Sequence, residues 1–491
     1  MLSISADDIR ARIARDNPWW QDSAYQQVEA NLPKRVYFTP FSRLALNFDV
    51  RRATVLLGPR RVGKTVMAKQ LVYVARAQGI DPKNILYVSV DTPIYMGISL
   101  EKFIEFMPGA QSNQQCVVIY DEIQYRPNWE LHLKDLVDSY ANVKFIASGS
   151  AAAALRLRSR ESGAGRFSDF MLPPLTFYEY LLFRNEENEY ISITGAHSDD
   201  DWYTLHDMQG LNARFIDYLN YGGYPEVVFN EAVRAQSEQF IRSDIIDKVL
   251  LKDLPSLYGI SDIQELNRLF SFLAYNAGNE ASFENISQDS EITKPTIKKY
   301  IEYLESAFLL IKVSTINENC RTMKRARNFK VYLNNPSMRA ALFSPVAAED
   351  TSSIGKLTES AIFSQWQHSP YFSSLKYARW KNEGEVDVVF LGANQKPRWV
   401  GEIKWSDRIE TSGPAELSAI TLLLKKHKSI TSGFFTSRTI KKRLTVENRI
   451  IDVIPSAAYC YIVGRNITAA LDAPIRGIPA VTQQVAGDAG N

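Results

Sequence analysis

The stretch with the clearest chemical potential combines glycines, a lysine and a threonine between an apolar run and a helical pattern. Gly58 opens the pattern G-x-x-x-x-G-K-T, which follows the strand-like residues 55–57 and leads into a helical pattern. Glycines let successive backbone N–H groups face phosphate oxygens, and a helix N-terminus adds a positive dipole. Lys64 is therefore expected to reach the β- and γ-phosphates of ATP, and Thr65 to hold Mg²⁺. The expected nucleotide-binding residues are Gly58, Pro59, Arg60, Arg61, Val62, Gly63, Lys64, Thr65 and Val66.

Two carboxylates, Asp121 and Glu122, follow the apolar run 116–120. A continuous apolar run that ends in polar residues is typical of a buried parallel strand with function at its carboxyl end. We predict that Asp121 holds Mg²⁺ through water beside Lys64 and Thr65. Glu122 is placed to orient or deprotonate the attacking water, so the pair predicts hydrolysis as well as binding.

A third strand-like run, 143–150, ends in small polar residues, and the segment after it carries arginines. Either Ser148 or Ser150 could sense the γ-phosphate, and Ser148 is the catalytic candidate. An arginine from the following segment could reach the γ-phosphate of a neighbouring subunit and stabilise the charge of the transition state. Arg166 is favoured over Arg160 for this role, and a solvated loop arginine is the alternative.

A second constellation lies near the C-terminal end, where Asp387 precedes the sequence Glu402-x-Lys404 by fourteen intervening positions. Alternation along a strand places Glu402 and Lys404 on the same face. With Asp387 on a neighbouring strand and Glu359 on a helix, the carboxylates would form an oxygen-rich pocket for Mg²⁺ or Mn²⁺, ligated by Asp387 and Glu402. Lys404 could orient the water that attacks a phosphodiester. A cluster of ion pairs on a sheet surface is the alternative.

Between these two constellations the pattern changes to short helices, the third of which is predicted over 294–310. Thr293 reads as its N-cap, and a strand is predicted to follow it. Lys294, Lys298 and Lys299 cluster on its outward N-terminal side, an arrangement that suits DNA phosphates. The alternative is an element that only packs or binds a protein partner.

The chain resembles a large set of prokaryotic AAA-type ATPases whose C-terminal half was long filed as a domain of unknown function. The resemblance rests on GPRRVGKT, VVIYDEIQ, FIASGSAAA and GRFSDFMLPPLTFYEYL, supported by 221–227 and 244–248. It implies an α/β fold in which a P-loop AAA-type ATPase core is joined to a helical lid, a winged helix-turn-helix segment and a C-terminal restriction-endonuclease-like α/β domain. The set Asp387, Glu402, Lys404 and Glu359 resembles the site of that nuclease fold, although Val386 stands where many nucleases place proline.

The expected divisions follow this order along the chain. They are an N-terminal helical segment (1–33), the ATPase core (34–175), the helical lid and linker (176–258), the winged-helix segment (259–320), the nuclease-like domain (321–466) and a disordered tail (467–491). The tail is predicted from a composition rich in Ala, Gly, Pro and Gln without periodicity.

The composition fits this organisation. The chain has 491 residues, a net charge of +2 and 23% charged residues, which predicts a soluble protein of about two to four domains without a global attraction to nucleic acid or membranes. Cys116, Cys320 and Cys460 are far apart and lack the spacing of metal ligands, as in a reducing compartment. Because there is no secretory signal and no apolar run of about eighteen residues, we expect a cytoplasmic protein without a membrane partner.

The function that these patterns favour is ATP hydrolysis coupled to action on DNA, with a metal-dependent nuclease domain gated by the nucleotide state. One alternative is a nucleotide-switched signalling or scaffold ATPase whose C-terminal domain binds without cleaving. Another is a remodeller of a partner protein. An oligomer is compatible with each of the three.

Overall fold

The computed structural model describes residues 5–110, 114–150, 165–195, 202–317, 319–320, 328–367, 369, 371–380 and 384–472. The chain divides into two compact units, Met1–Pro173 and Pro174–Asn491. The boundary lies two residues before the predicted end of the ATPase core at 175.

The first unit contains a five-stranded, fully parallel sheet. Its strands are β1 (Ala53–Leu57), β2 (Ile85–Ser89), β3 (Cys116–Asp121), β4 (Val143–Gly149) and β5 (Phe167–Met171). The α-helices described in this unit are Ala6–Asp16, Phe38–Ala45, Lys64–Ala77, Leu100–Glu105 and Trp129–Ser139. In the order β2–β3–β4–β1–β5, strand β4 separates β1 from β3. Since all strands run the same way, the residues that follow β1, β3 and β4 meet at one edge of the sheet.

The outer strand β2 is covered by residues from the N-terminal segment. The side chain of Asn17 donates to the carbonyl of Tyr87 at 2.9 Å and accepts from its N–H at 2.7 Å. The indole N–H groups of Trp19 and Trp20 both donate to the carbonyl of Ile85, at 3.0 and 2.8 Å. These contacts occupy backbone groups of an edge strand that would otherwise be open to pairing with another chain.

In the second unit, the described residues form one large mixed sheet and a small hairpin. The hairpin pairs β6 (Ile191–Ile193) with β7 (Tyr203–Leu205). The large sheet contains β8 (Glu280–Ser282), β9 (Leu310–Ile316), β10 (Asn328–Leu333), β11 (Leu375–Trp380), β12 (Gly384–Leu391), β13 (Pro397–Glu402), β14 (Ser432–Ser437), β15 (Lys442–Val446) and β16 (Arg449–Pro455). Its order is β15–β16–β14–β13–β12–β11–β9–β10–β8.

Some of the α-helices described in this unit precede the large sheet in the chain, and the others lie between its strands in sequence or after the last strand. They are Phe177–Phe183, Glu187–Tyr190, Met208–Tyr221, Pro225–Phe229, Glu231–Ala235, Ser237–Ile241, Leu254–Tyr258, Ile263–Tyr275, Phe283–Ser290, Lys294–Ser306, Ser337–Phe343, Thr351–Trp366, Arg408–Thr411, Ser418–Lys426 and Ser456–Asp472. Two π-helical segments, Arg242–Asp247 and Val249–Asp253, lie in the run between Ile241 and Leu254.

The last helix corrects one sequence-based boundary. The disordered tail was predicted from 467, but the helix Ser456–Asp472 continues six residues into it. Thr468 is buried, and its hydroxyl donates to the carbonyl of Gly464 at 3.1 Å. The compositional bias that predicted the tail therefore begins after the helix, and residues 473–491 lie outside the described part of the chain.

The helix Lys294–Ser306 also ends earlier than predicted. Its N-terminus is as expected, because the Thr293 side chain accepts from the N–H of Thr296. At the other end, Phe308 has a left-handed backbone (φ 59°), which ends the helix and turns the chain into β9. The apolar run after Ser306 therefore belongs to a strand, and the helix does not extend to 310.

An aromatic core holds the helix Thr351–Trp366 in place. Its N-terminus is capped by Asp350, which accepts from the N–H of Ser353 at 3.0 Å. Trp366, at the other end, contacts the rings of Phe434 and Tyr459, with centroids 6.0 Å away in both cases. Such packing fixes the helix against the large sheet and so fixes the position of Glu359, at its centre.

Candidate functional site

The loop between β1 and the helix Lys64–Ala77 has the backbone geometry of a tight phosphate-binding turn. Gly63 has φ 99° and Arg61 has φ 64°, both in the left-handed region. A Cβ on Gly58 would lie 2.1 Å from the carbonyl oxygen of Leu172. The first glycine is thus required by the close approach of another backbone segment, and Gly63 by its φ angle.

Lys64 is buried inside this loop. Its Nζ donates to the carbonyls of Gly58 at 3.0 Å and Pro59 at 2.6 Å. Both acceptors belong to the loop itself, so the lysine is held at the place where phosphates are expected.

A buried arginine that was not predicted from the sequence holds the backbone of the loop. The guanidinium of Arg35 donates to the carbonyl of Val62 at 2.7 Å and to that of Pro173 at 2.9 Å. Arg35 is only 4% exposed. The sequence gives one weak signal for it, an arginine directly before the apolar residues 36–38, and nothing that points to the loop.

Asp121 is the centre of a hydrogen-bonded group beside the loop. Its Oδ2 accepts from the Thr65 hydroxyl at 2.8 Å and from the Tyr87 hydroxyl at 2.7 Å, and its Oδ1 accepts from the Ser148 hydroxyl. Thr65 and Asp121 were predicted to hold Mg²⁺ and Ser148 to sense the γ-phosphate, and the structure brings Thr65 and Ser148 into contact with Asp121. Tyr87 was missed, because a tyrosine in an apolar strand looks like an ordinary core residue.

Glu122 follows β3 with a left-handed backbone (φ 58°), and its N–H donates to the Ser148 hydroxyl at 3.3 Å. Burial raises the pKa of Glu122; the charge of Lys64 opposes this rise and that of Asp121 adds to it. A carboxylate with a raised pKa is a stronger base toward water. Ser150, the other serine considered, is linked to Glu122 through Gln124, because its N–H donates to Gln124 Oε1 at 3.2 Å and the Gln124 amide donates to Glu122 Oε2.

Arg166 lies at the other end of the sheet. Its carbonyl accepts from the N–H of Ala53 at 2.9 Å, which places it at the amino end of β1, whereas the phosphate loop follows the carboxyl end. Its guanidinium pairs with Asp138 at 2.5 Å. The structure therefore does not bring Arg166 to the loop of its own chain, and action on a neighbouring subunit stays a prediction. Arg160 lies outside the described residues.

In the second unit, Asp387 on β12 and Glu402 at the end of β13 are brought together. The antiparallel register pairs Val388 with Gly401, so the next residues along, Asp387 and Glu402, face each other. Lys404 Nζ bridges them, at 3.4 Å from Asp387 Oδ2 and 2.5 Å from Glu402 Oε1. Asp387 Oδ2 also accepts from the backbone N–H of Ile403 at 3.0 Å.

Lys330, on β10, also lies in this cluster and was not anticipated from the sequence. Its Nζ is 3.2 Å from Asp387 Oδ1 and 3.4 Å from Glu359 Oε2, and it pairs with Glu385 as well. Glu359 Oε2 accepts a further hydrogen bond from the Tyr332 hydroxyl at 3.0 Å. The four predicted residues are thus joined by two ammonium groups rather than one.

Burial and mutual repulsion set the charge state of this cluster. Burial, followed by the Asp387 charge, raises the pKa of Glu359 to about 7 and that of Glu402 to about 8. Burial also acts on Asp387, but the ammonium groups of Lys404 and Lys330 hold its pKa below the usual value. Burial alone would lower the pKa of Lys330, but the surrounding carboxylates outweigh it and raise that pKa.

The carboxylate oxygens of this cluster are of the type that binds a divalent cation, but their arrangement limits how many of them are available. Oxygen ligands from carboxylates are those that Mg²⁺ and Mn²⁺ prefer. Glu402 Oε2 is buried and has no hydrogen-bond partner in the described part of the chain, so one oxygen is available to such an ion. Across the described ranges, however, no three Asp, Glu, His or Cys side chains are arranged to hold a metal. In this cluster Asp387 Oδ1 and Glu359 Oε2 contact Lys330, and Asp387 Oδ2 and Glu402 Oε1 contact Lys404.

The three candidate DNA-binding lysines are exposed on the helix Lys294–Ser306. Lys294 pairs with Glu284 at 2.9 Å. Lys299 Nζ lies 5.7 Å from the ring centroid of Tyr303. Lys298 lies between them in sequence and is also exposed. All three lie on the first two turns of this helix.

Comparison with known proteins supports the interpretation of the first unit. Residues 50–181 match the family model described as an AAA domain. Together with the parallel sheet, the glycine loop and the carboxylates at the end of β3, this match defines a P-loop core of the AAA type. Residues 212–349 match a model described as a domain of unknown function (DUF8612). That match ends before Glu359, and its description assigns no chemistry to the second unit.

The curated relatives have no established role. The chain is 25% identical over 294 residues to an uncharacterized protein of Methanocaldococcus jannaschii, covering 57% of this chain and 61% of that protein. It is 28% identical over 268 residues to an uncharacterized protein of Haemophilus influenzae, covering 52% of this chain and 61% of the relative. The chain thus spans about six-tenths of the length of these two relatives.

Solved structures give only weak similarity. A RuvB Holliday junction branch migration motor of Thermotoga maritima matches with 15% identity, 57% of this chain, 89% of that chain and a TM-score of 0.27. AMPPCP-bound DnaA from Aquifex aeolicus matches with 13% identity, 58% of this chain, 91% of that chain and a TM-score of 0.26. Scores this low carry no argument about the present chain. Within its described residues, no helix has the length and apolar character needed to cross a membrane.

Proposed function

We propose that the chain is a Mg²⁺-dependent ATPase that acts on DNA and carries a metal-dependent, nuclease-like site in its second unit. The proposal is carried by the hydrogen-bonded group of Thr65, Asp121 and Ser148, which lies beside the buried Lys64. Glu122 directly follows Asp121, and its N–H donates to Ser148. These residues combine a cation for phosphates, oxygen ligands for Mg²⁺ and a base for water.

The hydrolytic steps follow from these contacts. Lys64 exchanges its two loop carbonyls for phosphate oxygens, and the backbone N–H groups of the loop turn toward the same anion. Thr65 and Asp121 would hold Mg²⁺, which when bound neutralises charge on the phosphates. Glu122 accepts a proton from the attacking water, and its raised pKa favours that role. Ser148 holds the Asp121 carboxylate and the backbone of Glu122, because its hydroxyl donates to Asp121 Oδ1 and accepts from the N–H of Glu122.

In the second unit, Asp387 and Glu402 would hold Mg²⁺ or Mn²⁺, and the orphaned Glu402 Oε2 supports this. Lys404 is placed to orient a water beside a phosphodiester, and Glu359 adds a carboxylate from the helix side. The exposed lysines of the helix Lys294–Ser306 would contact DNA phosphates. The order of the helices Ile263–Tyr275, Phe283–Ser290 and Lys294–Ser306 and the strands β8, β9 and β10 supports the proposal of a winged helix-turn-helix, in which such a helix meets DNA.

The test incubates the pure protein with linear, circular and single-stranded DNA, with Mg²⁺ or Mn²⁺, and with or without ATP. Lys64→Ala is compared with Lys69→Ala on the same helix, and Lys404→Ala with Lys396→Ala in the turn between β12 and β13. Cleavage that is lost in Lys404→Ala and altered by ATP or Lys64→Ala supports the whole proposal. ATP hydrolysis without cleavage under any condition refutes the nuclease part.

One observation favours a second candidate. Lys330 and Lys404 already neutralise charge in the acidic cluster. The second candidate is therefore a nucleotide-switched ATPase or a protein remodeller whose second unit acts by binding alone. ATPase activity stimulated by a protein and indifferent to DNA would support this candidate. So would a function in cells that Lys404→Ala leaves unchanged.

A further inference from the structure

Lys330 is one of the least exposed charged groups of the second unit. Its side chain is 4% exposed, and its Nζ contacts Asp387, Glu359 and Glu385. Its ammonium also lies 5.6 Å from the ring centroid of Tyr377. Burial of a lysine is unfavourable unless other groups compensate for the lost hydration. Here carboxylates from a helix and from β12 do so.

We propose that the Lys330 ammonium is the resident cation of this cluster and that a divalent metal ion binds there only by displacing it. The inference rests on the metal site of the proposed function and adds its regulation. Lys330 Nζ lies on Asp387 Oδ1 and Glu359 Oε2, two of the oxygens that a divalent ion would use. Two cations on the same buried oxygens repel each other strongly, so the site holds one or the other.

The unpartnered oxygen of Glu402 gives independent support for a ligand. The Glu402 side chain is 10% exposed, lies opposite Asp387 and directs Oε1 to Lys404. Its Oε2 is buried without a hydrogen-bond partner in the described part of the chain. A buried acceptor that makes no hydrogen bond lowers the stability of the fold. A cation that bridges Asp387 and Glu402 satisfies this oxygen, and Lys330 does not reach it.

The two lysines of the cluster differ in how easily they can leave. The Lys404 side chain is 37% exposed, so its ammonium can turn to solvent when a metal arrives. The Lys330 side chain has almost no exposure and must break three ion pairs to move. Lys330 is therefore the group that sets the metal affinity.

The first experiment measures Mn²⁺ binding to the nucleotide-free full chain by electron paramagnetic resonance. It compares wild type, Lys330→Met, Lys330→Met with Asp387→Asn, and Lys312→Met. Lys312 is the matched control, because it lies on the adjacent strand β9, is 25% exposed and pairs with Glu305. We expect Lys330→Met to bind Mn²⁺ roughly tenfold more tightly or better, the double variant to lose that gain, and Lys312→Met to match wild type. Equal or weaker binding by Lys330→Met overturns the proposal.

A second measurement uses only the wild-type chain, so it does not depend on the folding of a variant. Lysine acetylation is followed by mass spectrometry in chelator and in millimolar Mn²⁺. We expect Lys330 to be protected in chelator and several-fold more reactive with Mn²⁺, whereas Lys312 reacts equally in both. Protection of Lys330 that persists while Mn²⁺ is bound overturns displacement.

Neither measurement uses DNA cleavage, so failures of the two proposals can be told apart. Tight Mn²⁺ binding by wild type that Lys330→Met leaves unchanged overturns the resident-cation proposal and leaves the metal site standing. Absence of binding in both chains overturns the metal site and this inference with it. Tight binding by Lys330→Met without cleavage of any DNA refutes only the nuclease part.

Discussion

Lys64 in the first unit and Lys330 in the second are both buried lysines beside carboxylates, but their surroundings differ in kind. Lys64 donates to two backbone carbonyls of its own loop. Lys330 is enclosed by three carboxylates. Carbonyl dipoles are exchanged for a phosphate at little cost, whereas ion pairs in a buried site are not.

The carboxylates of the two regions differ in the same sense. Asp121 accepts from hydroxyl groups, those of Thr65, Tyr87 and Ser148. Asp387 accepts from two ammonium groups and one backbone N–H. In the first region the carboxylate is held by neutral hydroxyl donors. In the second, the charges are largely satisfied within the protein. A charge change should therefore cost activity in the first region and stability in the second.

The strongest test of the first half of this comparison is Glu122→Gln. We expect ATP binding to be retained and the hydrolysis rate to fall by about 10²–10⁴, because the base for water is removed. The free energy of unfolding should change by less than about 1 kcal/mol. Nucleotide-binding and phosphate-release assays, with Glu105→Gln on the surface as control, measure both effects. Hydrolysis at the wild-type rate would contradict the role of Glu122.

The second half is tested by Asp387→Leu. Removing this carboxylate leaves Lys330 buried with fewer partners, and breaking a buried pair costs roughly 3–5 kcal/mol of unfolding free energy. Adding Lys330→Met should restore part of the loss, because it removes the uncompensated charge. Chemical denaturation of the single and double variants, monitored by circular dichroism, measures the coupling free energy between the two substitutions. The exposed pair of Lys425 and Glu447 is the control, and Lys425→Met should cost less than about 1 kcal/mol.

Lys144 extends the comparison to pH. Like Lys64, it donates to two carbonyls, those of Asn47 at 2.9 Å and Val50 at 3.0 Å. Burial lowers the pKa of Lys144 to about 8. An unfolded lysine keeps its proton up to about pH 10.4. Between these values the unfolded chain binds more protons, so the stability of the first unit should rise with pH.

The free energy of unfolding of the first unit should rise by an amount on the order of 1–3 kcal/mol between about pH 8 and 10. Lys144→Met should lack it, whereas Lys134→Met, on the exposed side of the helix Trp129–Ser139, should keep it. Denaturation at several pH values measures the difference between the variants. Identical pH dependence in wild type and Lys144→Met would show that the lysine does not titrate in this range.

The smallest expected effect is that of Arg35→Met. Arg35 holds the loop through the carbonyl of Val62, and its loss should weaken ATP binding by about tenfold, which is roughly 1.4 kcal/mol. Arg43→Met, an exposed change on the helix Phe38–Ala45, is the control. Isothermal titration with a non-hydrolysable ATP analogue measures the affinities, and unchanged affinity in Arg35→Met would limit that residue to a role in folding.

Local motifs explain what the sequence could predict. The loop Gly58–Thr65 and the pair Asp121 and Glu122 are contiguous and follow strands, so their types and spacing were enough to place them together. Asp387 and Glu402 were placed on adjoining strands for the same reason, whereas Lys404, predicted on the same strand as Glu402, lies two residues beyond the end of β13.

The supporting residues escaped prediction for the opposite reason. Arg35, Tyr87 and Lys330 act on groups that lie 27, 34 and 57 positions away along the chain. Each looks like an ordinary residue of its own segment. Sheet order decides which of these distant positions meet, and no periodicity in the sequence encodes that order.

The cover over strand β2 has a consequence for synthesis. Trp19 precedes its acceptor, the carbonyl of Ile85, by 66 positions. At 5–20 residues per second, a ribosome needs roughly 3–13 seconds to add that stretch. During this time the tryptophans of the nascent chain are without the partner that they have in the finished fold. A chaperone that recognises short aromatic segments can bind the tryptophans in this interval. The interval ends when β2 has been synthesised and the tryptophans cover it.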